Sequence, residues 1–269
     1  PASVPRVAVM TPPDLERHIV RDVPLAHVYP YLNFQMLFGK HLGLRGPVVR
    51  LLEAGDPKAL ELQEVVETLK AEAAREGWLH AHGVYQWFRA RAAGQTLTLL
   101  GPDGQPAASF TFPRQPDGER LCLSDYVRED RDDYVALFVV TCGAGVRQRA
   151  ATWKERGDYL RSHALQALAI ECAEATAEWL HARLRTLWGF PDPPELTIAD
   201  KLKAHYRGIR VSFGYPACPE LADQATLWRL LRPEEIGVAL TEGFMMDPEA
   251  SVSALVFHHP AAKYFKAAD

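Results

Sequence analysis

Apolar side chains recur along this chain in two rhythms. From Pro57 to Glu76, Leu60, Leu62, Val65, Val66, Leu69 and Ala73 return near a period of 3.6 with charges between them. That spacing predicts an amphipathic helix, which Gly77 stops. A longer helix is predicted from about Asp158 to Trp188. Leu165, Leu168, Cys172, Ala175, Trp179, Leu180, Leu184 and Leu187 line one stripe, and Glu171, Glu174 and Glu178 form a second, acidic one. The acidic stripe reads as a solvated face, and Pro191, Pro193 and Pro194 end the element. Shorter helices are predicted over Ile198–His205 and Thr226–Leu231.

The second rhythm is that of strands. Val84 to Arg89 is β-branched and aromatic. Thr96–Leu100 and Ser109–Phe112 flank a Gly101-Pro102-Asp103-Gly104 turn and read as a hairpin. Tyr134 to Cys142 is a continuous apolar run, the mark of a strand buried on both faces. Gly237–Leu240 and Ser251–Phe257 read as late strands. Residues 1–30 read as an irregular arm, in which Val4, Val7 and Val9 form a short strand and Thr11-Pro12-Pro13-Asp14 opens a short helix. Regular βαβ alternation is missing, so the expected class is α+β with a mainly antiparallel sheet.

Length and charge narrow the possibilities. The 269 residues have room for one large domain or two modest ones, and a net charge of -4 without a long basic run gives no electrostatic footprint for nucleic acid. No apolar run reaches membrane-spanning length and no secretory signal opens the chain. Cys122, Cys142, Cys172 and Cys218 are far apart and form no C-x-x-C, so they read as free buried thiols of a reducing cytoplasm. The chain opens at Pro1 and stops at Asp269 just after an aromatic-rich segment, which reads as a piece of a longer polypeptide.

Catalytic signatures are missing: there is no G-x-S-x-G, no Walker loop and no H-E-x-x-H. His258 and His259 are adjacent in a strand-like context and point to opposite faces, which disfavours a shared metal. His80 and His82 face the same way if extended, but no third ligand is suggested. Cys142-Gly143-Ala144-Gly145 reads as a strand-end turn. The segment that invites a ligand is Arg207-Gly208-Ile209-Arg210-Val211-Ser212-Phe213-Gly214-Tyr215-Pro216-Ala217-Cys218-Pro219. Its glycines and prolines suit a stiff exposed loop, its guanidinium at Arg210 a carboxylate or phosphate, and Tyr215 a flat partner.

The same segment carries a resemblance. Arg207-Gly208-Ile209-Arg210 and Gly214-Tyr215-Pro216-Ala217-Cys218-Pro219 are joined by Thr241-Glu242-Gly243-Phe244-Met245-Met246, Ala250-Ser251-Val252-Ser253 and His259-Pro260-Ala261-Ala262-Lys263-Tyr264-Phe265. With the block Tyr31 to Gly43 and with Ala177-Glu178-Trp179-Leu180-His181, they resemble the activation domain of cobalamin-dependent methionine synthases, in order, over about residues 25–266. The resemblance implies an N-terminal arm or linker over 1–24, leading from an upstream cobalamin module. Over 25–269 it implies a single C-shaped domain with a twisted antiparallel sheet flanked by helices. It implies binding of S-adenosylmethionine, reductive methylation of inactive cob(II)alamin to methylcobalamin, and flavodoxin or a similar flavoprotein as reductant. Cobalamin would be held mainly by the neighbouring module, zinc would belong only to an upstream module, and the setting would be cytoplasmic.

Carried onto this chain, the resemblance implies that Arg210 takes the ligand carboxylate. Backbone around Val211, Ser212 and Gly214 would meet the adenine edge, Tyr215 and Tyr264 would line the pocket, and Glu174 would accept from the ammonium. Two departures stand out. Asn33 occupies a position where some relatives have an aspartate, and Ala204 one where some have a glutamate, so the ammonium should be held less strongly. Sulfonium methyl transfer needs no protein nucleophile or base, which fits the lack of a catalytic signature. Two alternatives stay open. One is a non-catalytic docking module that clamps a cobalamin-carrying protein or a flavoprotein. The weaker one is a small-molecule methyltransferase, disfavoured by the missing Rossmann glycine fingerprint.

Overall fold

The computed structural model describes residues 4–267, so Pro1–Ser3 and residues 268–269, the outer ends of the expected arm and domain, lie outside the described residues. Nine strands and seven α-helices follow in chain order: β1 (His18–Val20), α1 (Leu25–Val28), α2 (Val48–Glu53), α3 (Pro57–Glu76), β2 (His82–Ala93), β3 (Thr96–Leu100), β4 (Pro106–Thr111), β5 (Asp133–Thr141), α4 (Val146–Glu155), α5 (Tyr159–Trp188), α6 (Ile198–Leu202), β6 (Ile209–Val211), α7 (Gln224–Leu231), β7 (Ala239–Leu240), β8 (Met246–Asp247) and β9 (Ser251–Phe257). Local chemistry fixes the main helix ends. Asp56 caps α3 by accepting from the Ala59 N–H at 2.9 Å, Pro57 sits at its first turn, and Gly77 closes it at φ 67°. Gly189, at φ 97°, ends α5 before the prolines are reached.

The main sheet runs β4-β3-β2-β5-β9-β6, and β1 pairs with the first residues of β2; every pairing is antiparallel. The middle of strand β5, Val135–Val140, is apolar because both of its faces are covered. Ala136, Phe138 and Val140 pack with α3, α4 and α5, while Val135, Leu137 and Val139 pack with α7 and the residues around Tyr126. Helix α5, about 45 Å long at 1.5 Å per residue, lies against the first face. Trp87 and Trp188 meet edge to face there, with ring centroids 6.0 Å apart.

Several expectations need correction. The arm forms no strand at Val4–Val9 and no helix at Thr11–Asp14. Pro5, Pro12 and Pro13 offer no ladder donors. Side chains fasten the arm instead: His259 Nε2 donates to Pro5 O, Arg128 to Val7 O and Trp188 Nε1 to Met10 O, at 2.8, 2.8 and 2.7 Å. The acidic stripe is not a solvated face. Glu171 and Glu178 are buried, the first paired with His41 Nε2 at 2.9 Å and the second with Arg210 at 3.0 Å, and only Glu174 is exposed. The expected helix from Ile198 stops at Leu202. A π-helical turn over Gln35–His41 was not expected at all.

The Arg207–Pro219 segment is also more regular than a loop. Ile209–Val211 forms β6 at the end of the sheet, pairing Ile209, Arg210 and Val211 with Phe257, Val256 and Leu255. Gly208 admits that strand. It holds φ 81°, and a Cβ there would lie 2.3 Å from the Phe257 carbonyl oxygen. Gly208→Ala is therefore expected to destabilise the fold by about 3 kcal/mol or more, combining left-handed strain with a backbone clash. Gly237→Ala has the same conformational cost but meets nothing within 4 Å, so about 1 kcal/mol is expected. Urea denaturation of both variants measures the difference, and equal losses would contradict the close approach.

Candidate functional site

Strand alternation aims Arg210. Its cross-strand partner Val256 belongs to the face covered by α5, whereas Ile209 and Val211 pack into the opposite core. The guanidinium therefore turns inward to α5. Its Nη2 donates to Glu178 Oε2 at 3.0 Å, and its Nη1 donates to Tyr206 Oη at 3.3 Å and His181 Nδ1 at 3.4 Å. Burial pulls the Arg210 pKa down, but the Glu178 carboxylate more than offsets this and the net shift is upward. His181 is fully buried; burial first, then Arg185 and Arg210, press its pKa well down, so the imidazole is neutral. Because Nδ1 accepts from Arg210, the ring proton belongs on Nε2. Below it, Arg185 forms a two-point pair with Asp192 at 2.6 and 2.7 Å and lays its guanidinium over the Tyr206 ring.

Above Arg210 opens a groove of about 490 Å³, lined by Glu174, Arg210, Val211, Ser212, Tyr215–Cys218, Val252 and Tyr264–Lys266. That volume suits a nucleoside-sized ligand. The concavity beneath the N-terminal arm holds only about 150 Å³. Two other hollows, along α4 and beside α7, are about as large but more open to solvent. Tyr215 is 65% exposed and Tyr264 54%, so both rings border the groove. Tyr264 donates its hydroxyl to the Arg210 carbonyl at 2.7 Å. The turn above is braced by Gly214 N–H to Cys218 O and Cys218 N–H to Tyr215 O, both 2.9 Å. Glu174 keeps an exposed side chain at the groove mouth, yet the surrounding protein displaces enough water to raise its pKa, with Arg210 opposing. Burial pushes the Cys218 thiol up to about 12, so it is an inert wall that donates to Ser212 O.

Six of the eight residues expected from the sequence thus meet around one groove: Glu174, Arg210, Val211, Ser212, Tyr215 and Tyr264. Gly214 shapes the turn without lining the cavity. Asn33 does not line it either; its amide oxygen accepts from the Met36 N–H at 3.1 Å, at the start of the π-helical turn. Ala204 holds φ 58° and offers nothing polar. Sequence reasoning missed Glu178, His181 and Tyr206 as the groups gripping Arg210. The spacing of Glu178 and His181 on α5 carried a signal, but only the pairing of β6 with β9 supplied the cation between them.

The histidines resolve separately. His258 Nε2 meets buried Asp133 at 2.8 Å while His259 reaches Pro5, so the two do not converge. Asp22 joins His80 and His82, a third group that the sequence did not suggest. The Asp22 N–H donates to His82 Nδ1 at 3.0 Å, which leaves the ring proton on Nε2 and disfavours a metal there.

The family model described as "Vitamin B12 dependent methionine synthase, activation domain" matches residues 24–269. Proteins named methionine synthase from Mycobacterium leprae (strain TN) and Mycobacterium tuberculosis (strain ATCC 25618 / H37Rv) are 33% and 34% identical, each over 96% of this chain. The chain spans 23% of the length of each. The crystal structure of the MetH reactivation domain bound to AdoHcy superposes with a TM-score of 0.91 at 29% identity, covering 97% of this chain and 84% of that one.

Neutral His181 gives a test of the site's electrostatics. Its folded-state pKa lies below the ordinary 6.5, so on acidification the unfolded chain takes the proton first. Stability from this group is complete above pH 6.5 and falls below it. His181→Gln is expected to flatten the decline in urea-unfolding stability between pH 6.5 and 5, relative to the parent; parallel pH profiles would refute a buried neutral imidazole.

Proposed function

The chain belongs to the family of vitamin B12-dependent methionine synthase activation domains, and on that premise we propose that its groove binds S-adenosylmethionine for the reductive methylation of cobalamin. The observation that carries this reading is the Arg210 guanidinium at the floor of a groove of about 490 Å³, with Glu174 at its mouth and two exposed tyrosine rings on its walls. A sulfonium amino acid carries a carboxylate, an ammonium and a nucleoside, and the groove offers a partner of fitting chemistry to each. The AdoHcy-bound neighbour supports the assignment.

Arg210 has five N–H donors, and three are engaged by Glu178, Tyr206 and His181. Its Nε–H and one Nη2–H are left for the ligand carboxylate. Glu174 accepts from the ammonium. Tyr215 and Tyr264 flank the nucleoside, and backbone at Val211 and Ser212 meets the adenine edge. Gly214 acts by bracing the turn. Asn33, already serving the π-helical turn, contributes less to the ammonium than an aspartate free to reach the groove. When bound, the sulfonium supplies the methyl group as an electrophile, so the protein's task is to bind, orient and leave that group exposed.

The rest of the cycle belongs to the longer enzyme, a methyltransferase of methionine biosynthesis. On this reading residues 1–24 lead from the cobalamin module of the same polypeptide and residues 25–269 form the ligand-binding unit. A flavodoxin-like flavoprotein delivers the electron, zinc stays in another module, and the setting is the reducing cytoplasm, in keeping with four free buried cysteines. No helix among the described residues is long and apolar enough to cross a membrane.

Two outcomes test the reading. S-adenosylmethionine at a hundred times its Kd should stabilise the domain by about 2.7 kcal/mol in thermal unfolding. Arg210→Lys keeps the charge but loses the planar fork, and should weaken binding by a few-fold, less than about tenfold, by calorimetry. A parent protein that melts unchanged with ligand would favour the docking-module alternative. Binding should also depend on pH. The raised pKa of Glu174 means that its carboxylate is neutralised, and its hold on the ammonium lost, at a higher pH than for an ordinary glutamate. Affinity should therefore fall on acidification, and Glu174→Gln should remove that dependence; an unchanged pH profile would discard the role.

A further inference from the structure

The pairing of Arg210 with Glu178 has a consequence for ligand choice. Glu178 is buried and gives one oxygen to Arg210 Nη2 at 3.0 Å, while its other oxygen, Oε1, is also buried and has no hydrogen-bond partner. Among the described residues Arg210 is the cation paired with Glu178; Arg185 is committed to Asp192, and His181 is neutral. The cation on the groove floor is therefore already matched by one full negative charge before a ligand arrives. Glu174 stands one helical turn before Glu178 on α5 and adds a second carboxylate to the same side. A ligand carboxylate docking on Arg210 meets a guanidinium that is well oriented but electrostatically muted.

We propose that Glu178 is a positioning residue that holds the Arg210 fork in place while attenuating its charge, so that it sets the affinity of the groove for the amino-acid tail and not for the nucleoside. The inference rests on the reading of the groove given above. It adds that the tail carboxylate contributes little net affinity, which favours ready release of the spent thioether product. Tyr206 and His181 complete the grip without adding charge.

The test is calorimetric titration of S-adenosylhomocysteine and of 5′-methylthioadenosine, which carries the nucleoside and sulfur but neither the carboxylate nor the ammonium of the tail. Glu178→Gln keeps an acceptor for Nη2 and removes the charge. It should tighten S-adenosylhomocysteine roughly tenfold, the screened Coulomb effect of one nearby charge, and leave methylthioadenosine within about twofold. Tyr206→Phe removes only a hydrogen bond and should loosen S-adenosylhomocysteine about threefold without changing methylthioadenosine. A merely structural Glu178 would weaken both ligands together in the Gln variant. That result, unchanged affinity for S-adenosylhomocysteine, or equal tightening of both ligands would overturn the proposal. Should Glu178→Gln not fold, the parent protein decides: methylthioadenosine, without the tail, should bind within about tenfold of S-adenosylhomocysteine, and a larger loss overturns the attenuation. Failure of the folded parent to bind S-adenosylhomocysteine at all would bring down the reading of the groove itself, and this inference with it.

Discussion

A guanidinium taken out of water is the constraint around which this domain is arranged. Arg210 sits on an edge strand, but its side chain points beneath α5, where leaving it uncompensated would cost several kcal/mol. Glu178, Tyr206 and His181 meet that demand from two different elements, and the Arg185–Asp192 pair fixes the Tyr206 ring from below. Such a pair is weak evidence for added stability, since well-packed apolar groups often do as well. Its effect is geometric. The acceptors fall on α5 and just before β6, so the end of the sheet and the middle of the long helix are held in one register.

That register creates the groove. β6 ends the sheet, with β9 on one side and, among the described residues, no further strand on the other. An edge strand leaves backbone groups unpaired, and here the Tyr264 hydroxyl takes the Arg210 carbonyl in place of a neighbouring strand. The braced turn from Gly214 to Cys218 forms one wall, the chain returning through Tyr264 another, and Glu174 on α5 the rim. The site is thus assembled from one helix, one strand edge and two loops on a scaffold whose sheet is covered on both faces.

The elements that could be read from the sequence are those whose physics is local. α3 was bounded by Asp56, Pro57 and Gly77, all of which act within one turn, and its predicted limits match those observed. β9 runs over Ser251–Phe257 as expected. The missed elements depend on contacts distant in the chain. The arm looked strand-like from its valines, yet its backbone is held by Arg128, Trp188 and His259. The π-helical turn at Gln35–His41 is fastened through His41 to Glu171, 130 positions away. The glutamates on α5 show the limit most clearly. Their spacing describes a helical face but not what covers it, and two of the three are buried against partners from other elements.

The amino-acid order by itself determined the class of fold, the long helix and the strand run of β5, because propensity, periodicity and capping act over a few residues; its motifs, separately, carried the resemblance to the family. Its motifs also named most of the residues that border the groove. Only the tertiary structure decided that Arg210 belongs to a strand, that it turns inward and that Glu178 already shares its charge. Direction and charge pairing depend on which elements become neighbours, and Coulomb forces in a dry interior do not follow distance along the chain.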